Sequence, residues 1–139
     1  MAAGDFTVFE EFLATISNLH DLDSDTIKLA LITSAVAPTA ADATPALADY
    51  TEVTPGGNYT AGGTDVNATF TEAAGTSTFD GDNVTWSQNA SNPTDARYAL
   101  VHDTTTVGAI GWFDLGAVID MTAGDLTVNV NAAGYFTIA

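Results

Sequence analysis

Apolar residues near the N-terminus recur at three- and four-residue steps: Phe6, Phe9, Phe12, Leu13, Ile16 and Leu19. That spacing puts them on one face of a helix and predicts an amphipathic helix over about residues 6–19. Thr7 followed by Glu10 fits a capping box, and Glu10 and Glu11 suit the positive end of the helix dipole. From Thr26 the period changes to two, with Ile27, Leu29 and Leu31 on one face and Lys28 and Ala30 on the other, the alternation of a strand. Alternation returns at Val66, Ala68 and Phe70, at Val84 and Trp86, at Tyr98, Leu100 and His102, and at Leu126, Val128 and Val130. The stretch Gly108 to Gly116, with Ile110, Trp112, Phe113 and Leu115, predicts a strand apolar on both sides, and Tyr135 to Ile138 supplies a closing strand.

The intervening segments read as connections. Asn18 to Asp25 is an exit loop, and Ser34 to Ala48, with Pro38, Pro45 and many alanines, has no period and predicts a surface excursion over about residues 34–48. Pro55-Gly56-Gly57 and Ala61-Gly62-Gly63 bracket Tyr59 and mark turns where φ > 0 is expected. About seven short strands and one leading helix predict a mainly β domain over residues 1–139, an antiparallel sandwich or barrel (jelly-roll-like) with one N-terminal helix. Trp86, Trp112, Leu29, Leu31 and Leu100 are the expected centre of its core, with Ile27, Ile110, Val128 and Val130 around them.

Charge narrows the partners. Eighteen acids face one Lys and one Arg, for a net charge of −16. Nucleic-acid binding relies on cations that neutralise phosphates, and an anionic membrane surface makes the same demand, so neither is an expected partner. No apolar run approaches the ~20 residues that span a bilayer, and Met1 to Asp5 carries no basic segment, so a soluble product without an export signal is expected. With no cysteine, disulfides, thiolate metal sites and a Cys nucleophile are excluded. An apolar share of 46% argues for a packed core in spite of the charge.

Candidate chemistry is thin. Asp21, Asp23 and Asp25 have the alternate spacing that opens a calcium loop, but Thr26 stands where that loop needs Gly and Ile32 where it needs Glu, so a solvated strand entry is the better reading. Asp80-Gly81-Asp82-Asn83 reads as a turn before the Val84 strand. His20 and His102 are the only imidazoles, and neither a G-x-S-x-G nor an H-E-x-x-H motif is present. Paired carboxylates for glycoside hydrolysis have no specific signature in so acidic a chain. Four Asn-x-Ser/Thr sequons, at Asn58, Asn67, Asn83 and Asn89, fit a Thr- and Asn-rich β protein without glycosylation. Arg97, alone among the acids, is expected to pair with a carboxylate, as an internal clamp in preference to an interface anchor. No catalytic residue, cofactor or metal is assigned, and an enzyme is not expected.

Several segments resemble a family of small structural proteins of tailed-bacteriophage virions, including head decoration or cement proteins. They are Asp25-Thr26-Ile27-Lys28-Leu29-Ala30-Leu31-Ile32-Thr33-Ser34, Glu52-Val53 leading to Tyr59-Thr60-Ala61-Gly62-Gly63, Phe79-Asp80 with Val84-Thr85-Trp86, Ala96-Arg97-Tyr98-Ala99, and Ile110-Gly111-Trp112-Phe113-Asp114-Leu115-Gly116. The likeness runs from about Asp25 to the C-terminus and is weakest across Ser34 to Ala48. It implies a capsid decoration protein on the outer surface of the virion, bound to the major capsid protein and to itself as a homotrimer. A tail or baseplate adaptor, or a host-glycan-binding virion protein, is the alternative within the same resemblance.

Overall fold

The antiparallel hairpin of β7 (Ala96–Asp103) and β8 (Gly108–Ile119) organises the computed structural model of the chain, which describes residues 4–15 and 20–139. Over residues 99–103 and 109–113 both strands are buried on two faces because other elements cover each side, whereas the far end of the hairpin, with Arg97 and Asp114, reaches the surface. β2 (Ile27–Ile32) lies against β7 with Leu29 opposite Val101 and Leu31 opposite Ala99, and β3 (Thr64–Asp65) borders β2. β1 (Phe6–Val8) borders β8, so the five-stranded order is β1-β8-β7-β2-β3. A second sheet orders β10 (Phe136–Ile138), β5 (Thr76–Asp80) and β4 (Thr69–Ala73), and β6 (Val84–Trp86) pairs with β9 (Leu126–Val128). The protein is mainly β, antiparallel and sandwich-like.

The N-terminal helix is shorter than its apolar period predicts. Phe6 to Val8 pair with β8 as a strand, and α1 spans Glu10–Thr15. Local periodicity cannot register the open edge of β8, whose backbone groups gain partners when Phe6-Thr7-Val8 extends along it. Phe6 then sets its ring 5.1 Å from Phe113 and 5.0 Å from Tyr135. Thr7 sits in β1 opposite Trp112, so the expected Thr7–Glu10 capping box does not form. Phe9 and Phe12 remain core residues, whereas Ile16 and Leu19 lie outside the described residues.

A single cluster unites Trp86, Trp112, Leu29, Leu31, Leu100, Ile27, Ile110 and Val128, all buried, with Val130 half-buried against it. The second face of β2 is buried at Ala30 and Ile32, and Gly63 lies so close over Ala30 that a Cβ on it would stand 2.7 Å from the Ala30 Cα. The Leu31 N–H donates to the Tyr59 hydroxyl oxygen at 3.0 Å, and that hydroxyl donates to Glu52 at 2.6 Å. The turns around Tyr59 use positive φ at Gly57, Gly62 and Gly63 (56°, 82° and 84°). The predicted Val66–Phe70 run is broken: Asn67 turns at φ 48° and β4 begins only at Thr69. The excursion from Ser34 to Ala48 is irregular and runs into a 3-10 turn at Leu47–Asp49.

Candidate functional site

All eighteen acids lie among the described residues, and Asp103 is the one that is buried. The two strand cations do little to offset them. Arg97 on β7 clamps Asp114 on β8, with Nη2 3.4 Å from Oδ2, and its guanidinium lies 4.6 Å from the Tyr98 ring centre. The hydrogen bond from Arg97 holds the Asp114 carboxyl below its ordinary range, and the Gly116 N–H helps from 2.7 Å. Arg97 is therefore an intrachain clamp, but at the surface: the Asp114 side chain is 52% exposed, and the large penalty of a broken buried pair does not apply. Lys28 makes no ion pair among the described residues.

Neither aspartate cluster forms a cation cage. Asp21 accepts the N–H groups of Asp23 and Ser24 at 3.2 and 3.3 Å, and Asp25 accepts the N–H of Asp21 at 2.9 Å, so these carboxylates close their own turn. Asp80 accepts the adjacent Gly81 N–H at 2.8 Å, while Asn83 accepts the Val130 N–H at 2.7 Å and ties the turn to the strand side. Among the described residues no three His, Asp or Glu side chains converge as metal ligands would.

The structure assembles a cluster that sequence spacing does not reveal, because its members are 83 residues apart. His20 Nδ1 lies 2.8 Å from Asp103 Oδ2, deep under the tip of the β7–β8 hairpin. Asp103 also accepts the Thr106 hydroxyl at 2.7 Å and the N–H groups of Thr105 and Thr106 at 2.8 and 3.2 Å. Burial pushes this carboxyl up, but the hydrogen bonds from His20 and Thr106 outweigh burial and hold it below its ordinary value. Gly108 completes the arrangement: a Cβ there would stand 2.7 Å from the His20 ring, so only glycine lets the hairpin close over the imidazole. A catalytic relay places the nucleophile on one ring nitrogen and the carboxylate on the other, whereas Thr106 Oγ1 approaches the same Nδ1 as Asp103, at 3.1 Å. The cluster is a clip that fixes the loop.

What the clip fixes is unusual. Val107 at the hairpin tip has φ 54°, a left-handed conformation that β-branched side chains disfavour, and it is 71% exposed. It stands beside a mostly apolar groove of about 480 Å³, which runs between the hairpin and the Leu47–Tyr50 turn. Glu52 and His102 supply the polar wall. The His102 Nε2 lies 2.9 Å from the Gly62 carbonyl, which can only accept, so the proton sits on Nε2. Burial holds His102 below its ordinary pKa and favours the neutral ring. Tyr50 donates its hydroxyl to Asp42 at 2.7 Å, and burial pushes that phenol up. These groups can pack and hydrogen-bond a ligand; they place no activated nucleophile beside a base.

No family model, curated protein or solved structure matches this chain.

Proposed function

We propose that this chain is a non-enzymatic virion subunit that decorates the outer surface of a tailed-phage capsid, binding the major capsid protein and stabilising the shell. The observation that carries this reading is the arrangement of charge: a net −16 spread over the outside of a β domain whose only buried acid is spent on a loop clip. Inside a head such a surface would add to the repulsion among packaged phosphates, whereas outside it faces water and salt that screen it. Trp86 and Trp112 are packed in the core, which removes the side chains best suited to stacking on sugars and weighs against the glycan-binding alternative. Homotrimers at the three-fold positions of the shell are the expected assembly, since a closed ring matches that local symmetry.

The test is the copy number of the chain in purified particles after full heads are separated from tails. The reading expects hundreds of copies on tail-free heads. A dozen or fewer, confined to tails, would replace decoration by an adaptor role.

A further inference from the structure

We infer that the groove between the β7–β8 hairpin tip and the Leu47–Tyr50 turn is the surface that docks on a protein partner, and that it receives an apolar side chain flanked by Lys or Arg. The inference rests on the decoration reading only for the identity of that partner.

Two independent features single out this place. Among the described residues four large apolar side chains are exposed, Val36, Val107, Val118 and Ile138, and Val107 is both the most exposed and the one with positive φ. Neither exposure nor a left-handed β-branched residue stabilises the free chain, so the position is set against stability twice. The strain is nevertheless enforced, since Asp103 binds Thr105 and Thr106 immediately before Val107 and Thr26 holds Thr104 through its N–H and hydroxyl, each at 2.9 Å. A rigid apolar knob beside an apolar groove meets the requirement of a preorganised docking anchor.

Charge decides the occupant. Glu52 lines the groove, and Asp42 and Asp49 flank Tyr50, against Lys28, which lies opposite His102 in the β2–β7 register; Asp103 is buried beneath the groove and does not face it. The rim is thus acidic. A second copy of this chain brings eighteen acids and two cations, one of them already paired with Asp114, and would meet the rim with like charge. A partner segment carrying Lys or Arg beside its apolar residue is complementary on both counts.

The test titrates the isotope-labelled full chain with a capped Lys-Leu-Lys peptide and, separately, with capped Lys-Gly-Lys, following backbone amide shifts. Saturable shifts confined to residues 47–52 and 102–108 are expected, with Lys-Leu-Lys binding on the order of tenfold tighter. Val107→Asn, which suits the left-handed backbone, should keep or raise the melting temperature while weakening Lys-Leu-Lys to the level of the glycine peptide. Shifts scattered over the acidic surface and equal for the two peptides would overturn the inference, as would unchanged binding by Val107→Asn. Decorating depleted heads with wild type, Val107→Asn and the control Val118→Asn then separates the two readings. Loss confined to Val107→Asn supports the groove as the shell-docking surface, and equal head binding by all three overturns it. If wild type takes the peptide in the groove but ignores heads, the docking chemistry stands and the shell partner is refuted.

Discussion

Replacing Asp103 by alanine removes a buried carboxylate that receives hydrogen bonds from His20, the Thr106 hydroxyl and two backbone N–H groups, at 2.7 to 3.2 Å. Hydrogen bonds to a charged acceptor are each worth about 1.5–3 kcal/mol but are far from additive within one network. Removing one partner of a buried pair costs about 3–5 kcal/mol, and that range is the expectation for Asp103→Ala. Asp103→Asn keeps the shape and the acceptor oxygen and should cost less. The pH dependence gives a second signature. The folded carboxyl is held below its ordinary value, so its stabilisation is fully present above the unfolded pKa of about 4 and is lost as pH falls through the folded value. Asp25 works against this trend: Asp21 binds its carboxylate, but burial and the nearby Asp103 together raise its pKa, so protonating it favours the fold. With Asp25→Asn introduced into both proteins to remove that opposing titration, the stability difference between the chains with and without Asp103→Asn should shrink as the solution is acidified from pH 6 to pH 3. Urea unfolding at each pH measures both quantities. A loss below about 1 kcal/mol for Asp103→Ala, or a gap between the Asp25→Asn chains with and without Asp103→Asn that does not change with pH, would refute the clip.

Trp86→Ala and Trp112→Ala should each cost about 3–5 kcal/mol in equilibrium unfolding, whereas Trp86→Phe should cost much less, because it also removes an indole N–H that is buried without a partner. Arg97→Ala should change stability by no more than about 1 kcal/mol, and a loss above about 3 kcal/mol would show that the clamp is not a surface pair. A calcium chelator should leave the melting temperature unchanged, since the Asp21–Asp25 carboxylates are turned onto their own backbone; a clear drop would reveal a native-state ion.

The strands were legible where a single physical cause shaped the sequence. Ile27, Leu29 and Leu31, like Tyr98, Leu100 and His102, recur at every second residue because a strand turns alternate side chains to one face, although the structure covers the other face of β2 and β7 as well, and the two-sided apolar run of β8 announces a strand covered on both faces. Local sequence is silent where a distant partner decides. Phe6 and Phe9 have helical spacing, yet the edge of β8 draws Phe6 into a strand. The β4–β5 hairpin turns at Ala74-Gly75, both with positive φ, and Ala lacks the Asn-Gly signal that marks such turns. The His20–Asp103 clip and the strained Val107 are products of tertiary closure, and nothing in their neighbourhoods along the chain announces them. A Val followed by Gly in a Thr-rich loop carries only one clue, the small residue at Gly108 that admits the His20 ring.

The most direct test of the account compares full heads made with and without this chain, heated while DNA release is followed by a nuclease-accessible dye signal. Many modest contacts bridging neighbouring shell subunits add through multivalency. Heads lacking the chain should therefore assemble but release their DNA at a lower temperature, and purified protein should restore the wild-type value. Equal release temperatures, with added protein found on no intact head, would contradict decoration outright.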